Sequence, residues 1–207
     1  MNRALTATAA AFVAFAAFPA LAQVTPYAGV QLGYDRARFE GQNAAGTTLV
    51  DVNGQGFVGG MFGGIWYALG PRLSLGGEFE VNLSQVKGGA LVGGGLGLDH
   101  EVSLPMAATV NIAYAWNNRF TLLFGGGFAR ARIESTLFDA DDEIGAVTKS
   151  TSGTTLNFGI QHALGRRLFV RGQYVMTRYG AVEFLEDDDG TIKTSSRLVR
   201  LGIGTTF

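Results

Sequence analysis

Cysteine is absent from the 207-residue chain, which excludes disulfides, a thiol nucleophile and any cysteine-ligated metal. Histidine occurs only twice, so proton-transfer chemistry at neutral pH has few candidates. Charged residues make up 16%, against roughly 25% in a typical soluble domain. Lys+Arg number 16 and Asp+Glu 17, for a formal net charge of −1. That balance points to no nucleic-acid partner. After Gln23 no uninterrupted apolar run is long enough for a membrane-spanning helix. Helical periodicity is missing as well. At 47% hydrophobic residues, the chain is nevertheless not a disordered one.

Glycine is abundant, at 31 residues, without the three-residue period of collagen. The first stretch has the make-up of an export signal. Arg3 supplies a positive start, Ala4 to Phe18 form an apolar run broken only by Thr6 and Thr8, and Ala20-Leu21-Ala22 is a small-x-small cleavage site. The apolar run is about 15 residues, short of the roughly 20 that a spanning helix needs. Residues 1–22 are therefore expected to be a cleaved signal peptide, with 23–207 as one exported domain.

The pattern that recurs after Gln23 is alternation of period two, the mark of strands. Leu73, Leu75, Phe79, Val81 and Leu83 alternate with Ser74, Glu78, Glu80, Asn82 and Ser84. Val102, Leu104, Met106, Ala108, Val110, Ile112, Tyr114 and Trp116 alternate in the same way. Eight such segments lie near 26–37, 56–69, 73–84, 102–116, 120–134, 154–164, 168–179 and 196–207. The connections alternate long and short. The short ones centre on Gly70-Pro71, Asn117-Asn118 and Gly165-Arg166, all turn formers. The four long ones, near 38–55, 85–101, 135–153 and 180–195, hold 13 of the 17 acidic residues, which marks that end as solvated.

Strands of this length match a tilted bilayer crossing, and lipid tolerates no open sheet edge. The expected fold is all-β: an eight-stranded antiparallel transmembrane β-barrel with short periplasmic turns and long extracellular loops. A soluble eight-stranded barrel would turn its bulky residues inward. Here the small and polar set, with Glu78, Glu80, Asn82, Asn111, Asn157, Gln161 and Gln173, alternates with the bulky one, and a narrow lumen takes the smaller set.

The signal peptide, the eight alternating segments and the ending Leu201-Gly-Ile203-Gly-Thr205-Thr-Phe207 resemble the small eight-stranded outer-membrane barrels. These are the OmpA/OmpX-like surface proteins, also termed porin-family or opacity-like. The tract Phe169-Val-Arg-Gly-Gln-Tyr174 is similar to a recurring strand of that group. The resemblance implies a Gram-negative outer membrane, a monomer and no cofactor. It also implies outer-membrane lipids, lipopolysaccharide and host or surface molecules as partners. Leu201, Ile203, Thr205 and Phe207 are similar to the last-strand signal that barrel-assembly machinery reads.

Several constellations are candidates for function. Glu78 and Glu80 share the polar parity of the third segment, and Arg171 and Arg200 the inward parity of the last two. Bare charges in a narrow lumen are costly, so these four are expected to form a charge network. It is either a packed plug or one that rearranges to pass ions. Tyr34, Tyr67, Tyr114, Trp116, Phe120, Phe128, Tyr174 and Phe207 fall near strand ends, where aromatic girdles sit. Arg36, Arg38, Arg130, Arg132, Arg178 and Arg197 gather toward the loop ends. They read either as solvated charges or as contacts to lipopolysaccharide phosphates, for which arginine forks are well shaped.

The acidic runs Asp139–Glu143 and Glu186–Asp189 suggest calcium. An EF-hand register would put Leu185 first and Ser196 twelfth, so the motif fails and no metal site is expected. Gly88-Gly89 and Gly93 to Gly95 precede no helix, so they are no phosphate cradle and suit a loop. His162 shares parity with Phe158 and Ile160 and is expected at the membrane interface. His100 lies near Glu134 and Thr136. Lipid A deacylases of similar fold carry an outward His-Ser-carboxylate set, but Ser103 and Ser135 have inward parity here. The function expected is that of a non-enzymatic surface barrel supporting membrane integrity and presenting loops for interaction. The alternatives are a narrow passive channel and a lipid A-modifying enzyme.

Overall fold

The computed structural model describes residues 24–42, 48–92, 96–139, 142–180, 182–183 and 191–207, with side chains for 24–40, 52–88, 101–134, 136, 148–180 and 193–207. The Ala22/Gln23 boundary and both acidic runs lie outside the residues described with side chains. The described residues form ten strands: β1 (Val24–Gln42), β2 (Thr48–Ala68), β3 (Leu73–Ser84), β4 (Val86–Val92), β5 (Leu96–Ala115), β6 (Phe120–Asp139), β7 (Asp142–Ala163), β8 (Leu168–Tyr179), β9 (Val182–Glu183) and β10 (Thr191–Thr206). Strands β3 and β4 run end to end, interrupted only at Gln85, and both pair with β5. The short β9 likewise prolongs β8 along β10. The result is eight staves, closed by pairing of β1 with both β2 and β10.

Register sets the dimensions of this barrel. A path across the ladders from Asp35 passes through Leu198, Val175, Asn157, Gly125, Asn111, Gly76 and Trp66 to Thr25. It returns to β1 ten residues below its start. Such a shear in eight staves tilts the strands by roughly 35–45° and leaves a lumen that side chains can fill. At the base, three short turns close the hairpins β2–β3, β5–β6 and β7–β8 through Leu69 N–Leu73 O (2.8 Å), Trp116 N–Phe120 O (2.9 Å) and Leu164 N–Leu168 O (2.9 Å). Asn117 Oδ1 also accepts hydrogen bonds from the amides of Arg119 and Phe120, the side-chain turn for which Asn is favoured.

The staves run well past the segments that apolar alternation locates, because the phase of the alternation inverts along them. In the lower storey the outward positions are bulky and exposed, as in Val30, Leu32, Phe79, Leu83, Phe124, Phe128, Leu156 and Leu201. The inward ones are glycine or polar. In the upper storey the outward positions are polar, including Arg36, Arg38, Arg130, Arg132, Ser150 and Ser152. The inward ones there form an apolar core of Ala37, Phe39, Val52, Val58, Val86, Val102, Ala131, Val175 and Leu198. Solvent explains the inversion. Lipid tails are as apolar as leucine and give no drive to bury apolar groups inside. A wall standing in water does, at about 1.5–3 kcal/mol per buried side chain of this size.

Two local expectations change accordingly. Strand β5 breaks register between Ser103 and Met106, with Leu104 in the left-handed region at φ 49°. This bulge carries Val102 from the outward face into the core and puts Ser103 outside, where it is opposite Arg132. Gly88 and Gly89 lie in β4, paired with His100 and Asp99, rather than in a loop.

Candidate functional site: the lumen network and the arginine arc

Three staves deliver four charges to the lower lumen. Strand β3 contributes Glu78 and Glu80, β8 contributes Arg171, and β10 contributes Arg200. Arg171 forks onto Glu78, with Nη1 on Oε2 and Nη2 on Oε1, the second bond at 3.1 Å. Arg200 Nη1 bonds Glu80 Oε2, and its Nη2 is 4.0 Å from Glu78 Oε1. The side chains of Arg171 and Glu78 are each only 2% exposed, so the pairing operates in a low-dielectric interior. There an uncompensated charge is expensive.

Neutral side chains add further hydrogen bonds to the network, while Arg171 Nε is left without a partner. Tyr27 Oη donates to Glu78 Oε2 at 2.8 Å. Gln31 Nε2 donates to Asn82 Oδ1 at 2.8 Å and more weakly to Glu80, while Gln31 Oε1 accepts from Arg171 Nη2 at 3.2 Å. Arg200 Nε donates to Gln173 Oε1 at 3.1 Å. Phe62 completes the cradle, its ring centroid 3.4 Å from the Arg171 guanidinium carbon, a cation–π contact in a desolvated site. Below it, Tyr27, Phe62 and Phe169 are buried together and Trp66 stacks on Tyr27 at 5.4 Å. Glycine makes the room: a Cβ on Gly29 would stand 2.3 Å from the Phe62 ring.

Gln173 belongs to the inward polar set read from the sequence, whereas Tyr27, Gln31 and the aromatic wall are not singled out there. Their signal was inward parity beside glycine-rich positions on neighbouring strands. A second polar group lines the opposite wall, where Asn157 Nδ2 bonds Asn111 Oδ1 at 3.0 Å. Beneath the network, a cavity of about 220 Å³ at the base is bordered by Thr25, Trp66, Arg72, Ser74, Thr121 and Gln161. Above the network begins the apolar core.

The six arginines near the loop ends all face outward and are exposed. Four of them share one patch. Arg36 is opposite Arg197 across β1–β10, while Arg38 and Arg178 flank Ser195 from either side. Arg38 also pairs with Glu40 at 3.2 Å. Arg130 and Arg132 stand on β6, opposite Ser152 and Ser150 of β7, so hydroxyls fill the interval between the two groups. Together they form an arc over five staves directly above the apolar belt.

On the last strand Leu201, Ile203 and Phe207 face outward, with Thr205 half-buried. Of the aromatic residues assigned to girdles, Tyr34, Tyr67, Tyr114, Trp116, Phe120, Phe128 and Phe207 are exposed on the outer wall, and Tyr174 is half-buried. His162 packs against Phe120 on the same wall, the two rings tilted with centroids 4.5 Å apart. Ser103 faces outward beside exposed Glu134, contrary to its assigned inward parity, since the β5 bulge intervenes. Register places the backbone of His100 opposite Ser135, and the His100 side chain lies outside the described ones.

The sequence profile of the outer membrane protein beta-barrel domain matches residues 6–207. The chain is 26% identical over 197 residues to the 31 kDa outer-membrane immunogenic protein of Brucella melitensis biotype 1, covering 87% of this chain and 82% of that one. Among solved structures, the outer membrane protease OmpT of Escherichia coli superposes with a TM-score of 0.52 at 11% identity, over 88% of this chain and 97% of its own. That likeness concerns the fold alone. OprG of Pseudomonas aeruginosa gives a TM-score of 0.48 at 11% identity, over 89% and 97%.

Proposed function

We propose, for a chain that belongs to the outer membrane protein beta-barrel family and lies in the outer membrane, the role of a sealed, non-enzymatic surface barrel. It supports the membrane and presents its water-exposed upper storey and loops for interaction. The observation that carries this reading is the double filling of the lumen. A closed ion-pair network occupies the lower storey, and an apolar core with Val86 and Phe39 almost wholly buried occupies the upper one. A narrow passive channel would need both to yield. Planar-bilayer recording on refolded protein tests the reading: steps of stable conductance from the unaltered chain would overturn it.

The lipopolysaccharide contact belongs to the same proposal. The arc of Arg36, Arg38, Arg178 and Arg197, continued by Arg130 and Arg132, stands at the level just above the lipid belt. Guanidinium forks match phosphate oxygens there. Binding of lipopolysaccharide to the refolded barrel should weaken when its lipid A is dephosphorylated and when Arg36 and Arg197 are changed to Gln. Equal binding in all cases would leave the arc as ordinary solvated charge. For Leu201, Ile203, Thr205 and Phe207, the proposed role is recognition by the assembly machinery. Deleting Phe207 should slow insertion in cells more than spontaneous refolding in detergent.

A further inference from the structure

The periplasmic turns carry a charge pattern that neither the lumen nor the upper arc uses. They read Leu69-Gly-Pro-Arg72, Trp116-Asn-Asn-Arg119 and Leu164-Gly-Arg-Arg167. Each ends in arginine, the third holds two, and none contains an acidic residue. All four arginines are exposed. Three of them occupy equivalent places, because the carbonyls of Arg72, Arg119 and Arg167 accept hydrogen bonds from Ala115, Ala163 and Thr206 of the next stave at 2.8, 2.8 and 2.9 Å. The backbone is thereby pinned at the last rung of the ladder, and only the side chain is left to move.

Depth selects the partner. The next residue in each case, Leu73, Phe120 or Leu168, is an exposed apolar residue of the outer wall. Leu69, Trp116 and Leu164 are exposed at the other end of each turn. The guanidinium groups are thus held at the edge of the lipid belt. Moreover, arginines bracket that belt at equal spacing along two staves: Arg119, just before β6, and Arg130 on it, and Arg167, just before β8, and Arg178 on it, eleven residues apart in both. At ~3.4 Å per residue and a tilt of roughly 35–45°, that is a height of about 26–31 Å. The apolar band of such barrels is ≈ 25 Å tall. Between the two levels no charged side chain faces outward among the described residues.

We propose that Arg72, Arg119, Arg166 and Arg167 form an anion-binding rim that holds the phosphate groups of anionic phospholipids in the periplasmic leaflet. Four-residue turns keep the cations at headgroup depth, whereas the peptidoglycan layer lies beyond their reach. Arginine suits the ligand because it forks onto phosphate and because several such side chains at one anionic surface add their attractions.

Trp116 supplies a local reporter. The chain has two tryptophans; Trp116 is 65% exposed on the outer wall of the Arg119 turn, and Trp66 is stacked on Tyr27 within the lumen. The full chain would be refolded into vesicles of equimolar phosphatidylglycerol and phosphatidylcholine, with bromine on the chains of one lipid or the other. Quenching of Trp116 should report a phosphatidylglycerol preference of roughly fivefold or more at low salt, the scale of a single arginine at an anionic surface. High salt should collapse it. R72Q/R119Q/R166Q/R167Q should abolish the preference, and the matching four-lysine variant should keep most of it.

Equal quenching by both lipids in the unaltered chain, or a preference that persists in the four-glutamine variant, would overturn the proposal. Should that variant not refold, a salt-insensitive preference in the unaltered chain would overturn it equally. Co-sedimentation with purified peptidoglycan through these arginines, without lipid preference, would replace it by a cell-wall contact.

Discussion

Arg171 and Glu78 stand on diametrically opposite staves, β8 and β3, and their side chains meet across the lumen. The network is therefore a strut as well as a plug, because it ties together walls that share no ladder. Arg200 and Glu80 repeat the crossing from the adjacent stave β10. Hydrogen bonds between neighbouring strands resist slippage along the wall. A strut across the centre resists flattening of the whole cross-section.

The first prediction concerns that strut. With both side chains buried, Glu78→Ala or Arg171→Ala leaves an uncompensated charge, which costs ~3–5 kcal/mol. The Arg171 variant also loses its contact with Phe62. The double variant should lose much less than the two single losses together, since removing both partners leaves no orphan charge. Urea unfolding of the barrel in vesicles measures all three. Additive losses would mean that the two residues do not act as a pair.

A second prediction separates glycines that are needed from glycines that are not. A Cβ at Gly29 would stand 2.3 Å from both the Ile203 carbonyl oxygen and the Phe62 ring, whereas one at Gly77 meets nothing within 4 Å. Gly29→Ala should therefore destabilise by about 1–3 kcal/mol through overpacking. Gly77→Ala, on the lipid side, should be neutral or stabilising by roughly 0.5–1 kcal/mol, because strand glycines carry an entropic cost. Equal effects at the two sites would argue against the tight register of the aromatic wall.

The third prediction tests the two-level seal. Phe39 is almost fully buried in the upper core, and Phe39→Ala should cost ~3–5 kcal/mol without opening a conductance, since the strut below remains. Glu80→Ala leaves the upper core intact and should likewise stay closed. Only the double variant should conduct. Conductance from Phe39→Ala alone would place the seal in the apolar core and reduce the network to a stabilising role.

How much of this was legible beforehand follows the solvent outside the wall. The lower storey announces itself because a polar lumen and a lipid-facing exterior give a clean alternation, as in Leu73 to Leu83. The upper storey does not. Phe39, Val52 and Leu198 belong to strands whose outward partners are arginine, asparagine and serine, and a search for bulky outward residues ends where the bilayer does. Val102 and Ser103 illustrate a second limit. A bulge of one extra residue flips every side chain beyond it, and neither Leu104 nor Pro105 fixes in advance on which side of them the flip occurs. The charges of the lumen were conspicuous, because Glu and Arg on an inward parity have little else to do. Gln31 and Tyr27, which add hydrogen bonds to the network, carry no such mark.

The last prediction concerns orientation and the height of the belt. Because the native chain lacks cysteine, each single-cysteine variant reports one site without background. Arg132→Cys lies on the outer wall above the belt, Phe128→Cys faces lipid four residues lower on the same strand β6, and Asn118→Cys lies in the turn at its base. A thiolate must form in water before it reacts with a maleimide. A membrane-impermeant maleimide should thus label Arg132→Cys on intact cells. Asn118→Cys should be labelled only after the outer membrane is permeabilised, and Phe128→Cys in neither case until the barrel is unfolded. Labelling of Asn118→Cys on intact cells, with Arg132→Cys protected, would invert the barrel and move the arginine rim to the cell surface. Rapid labelling of Phe128→Cys would place the belt lower than the phase inversion puts it, and the upper storey would then begin below Phe128.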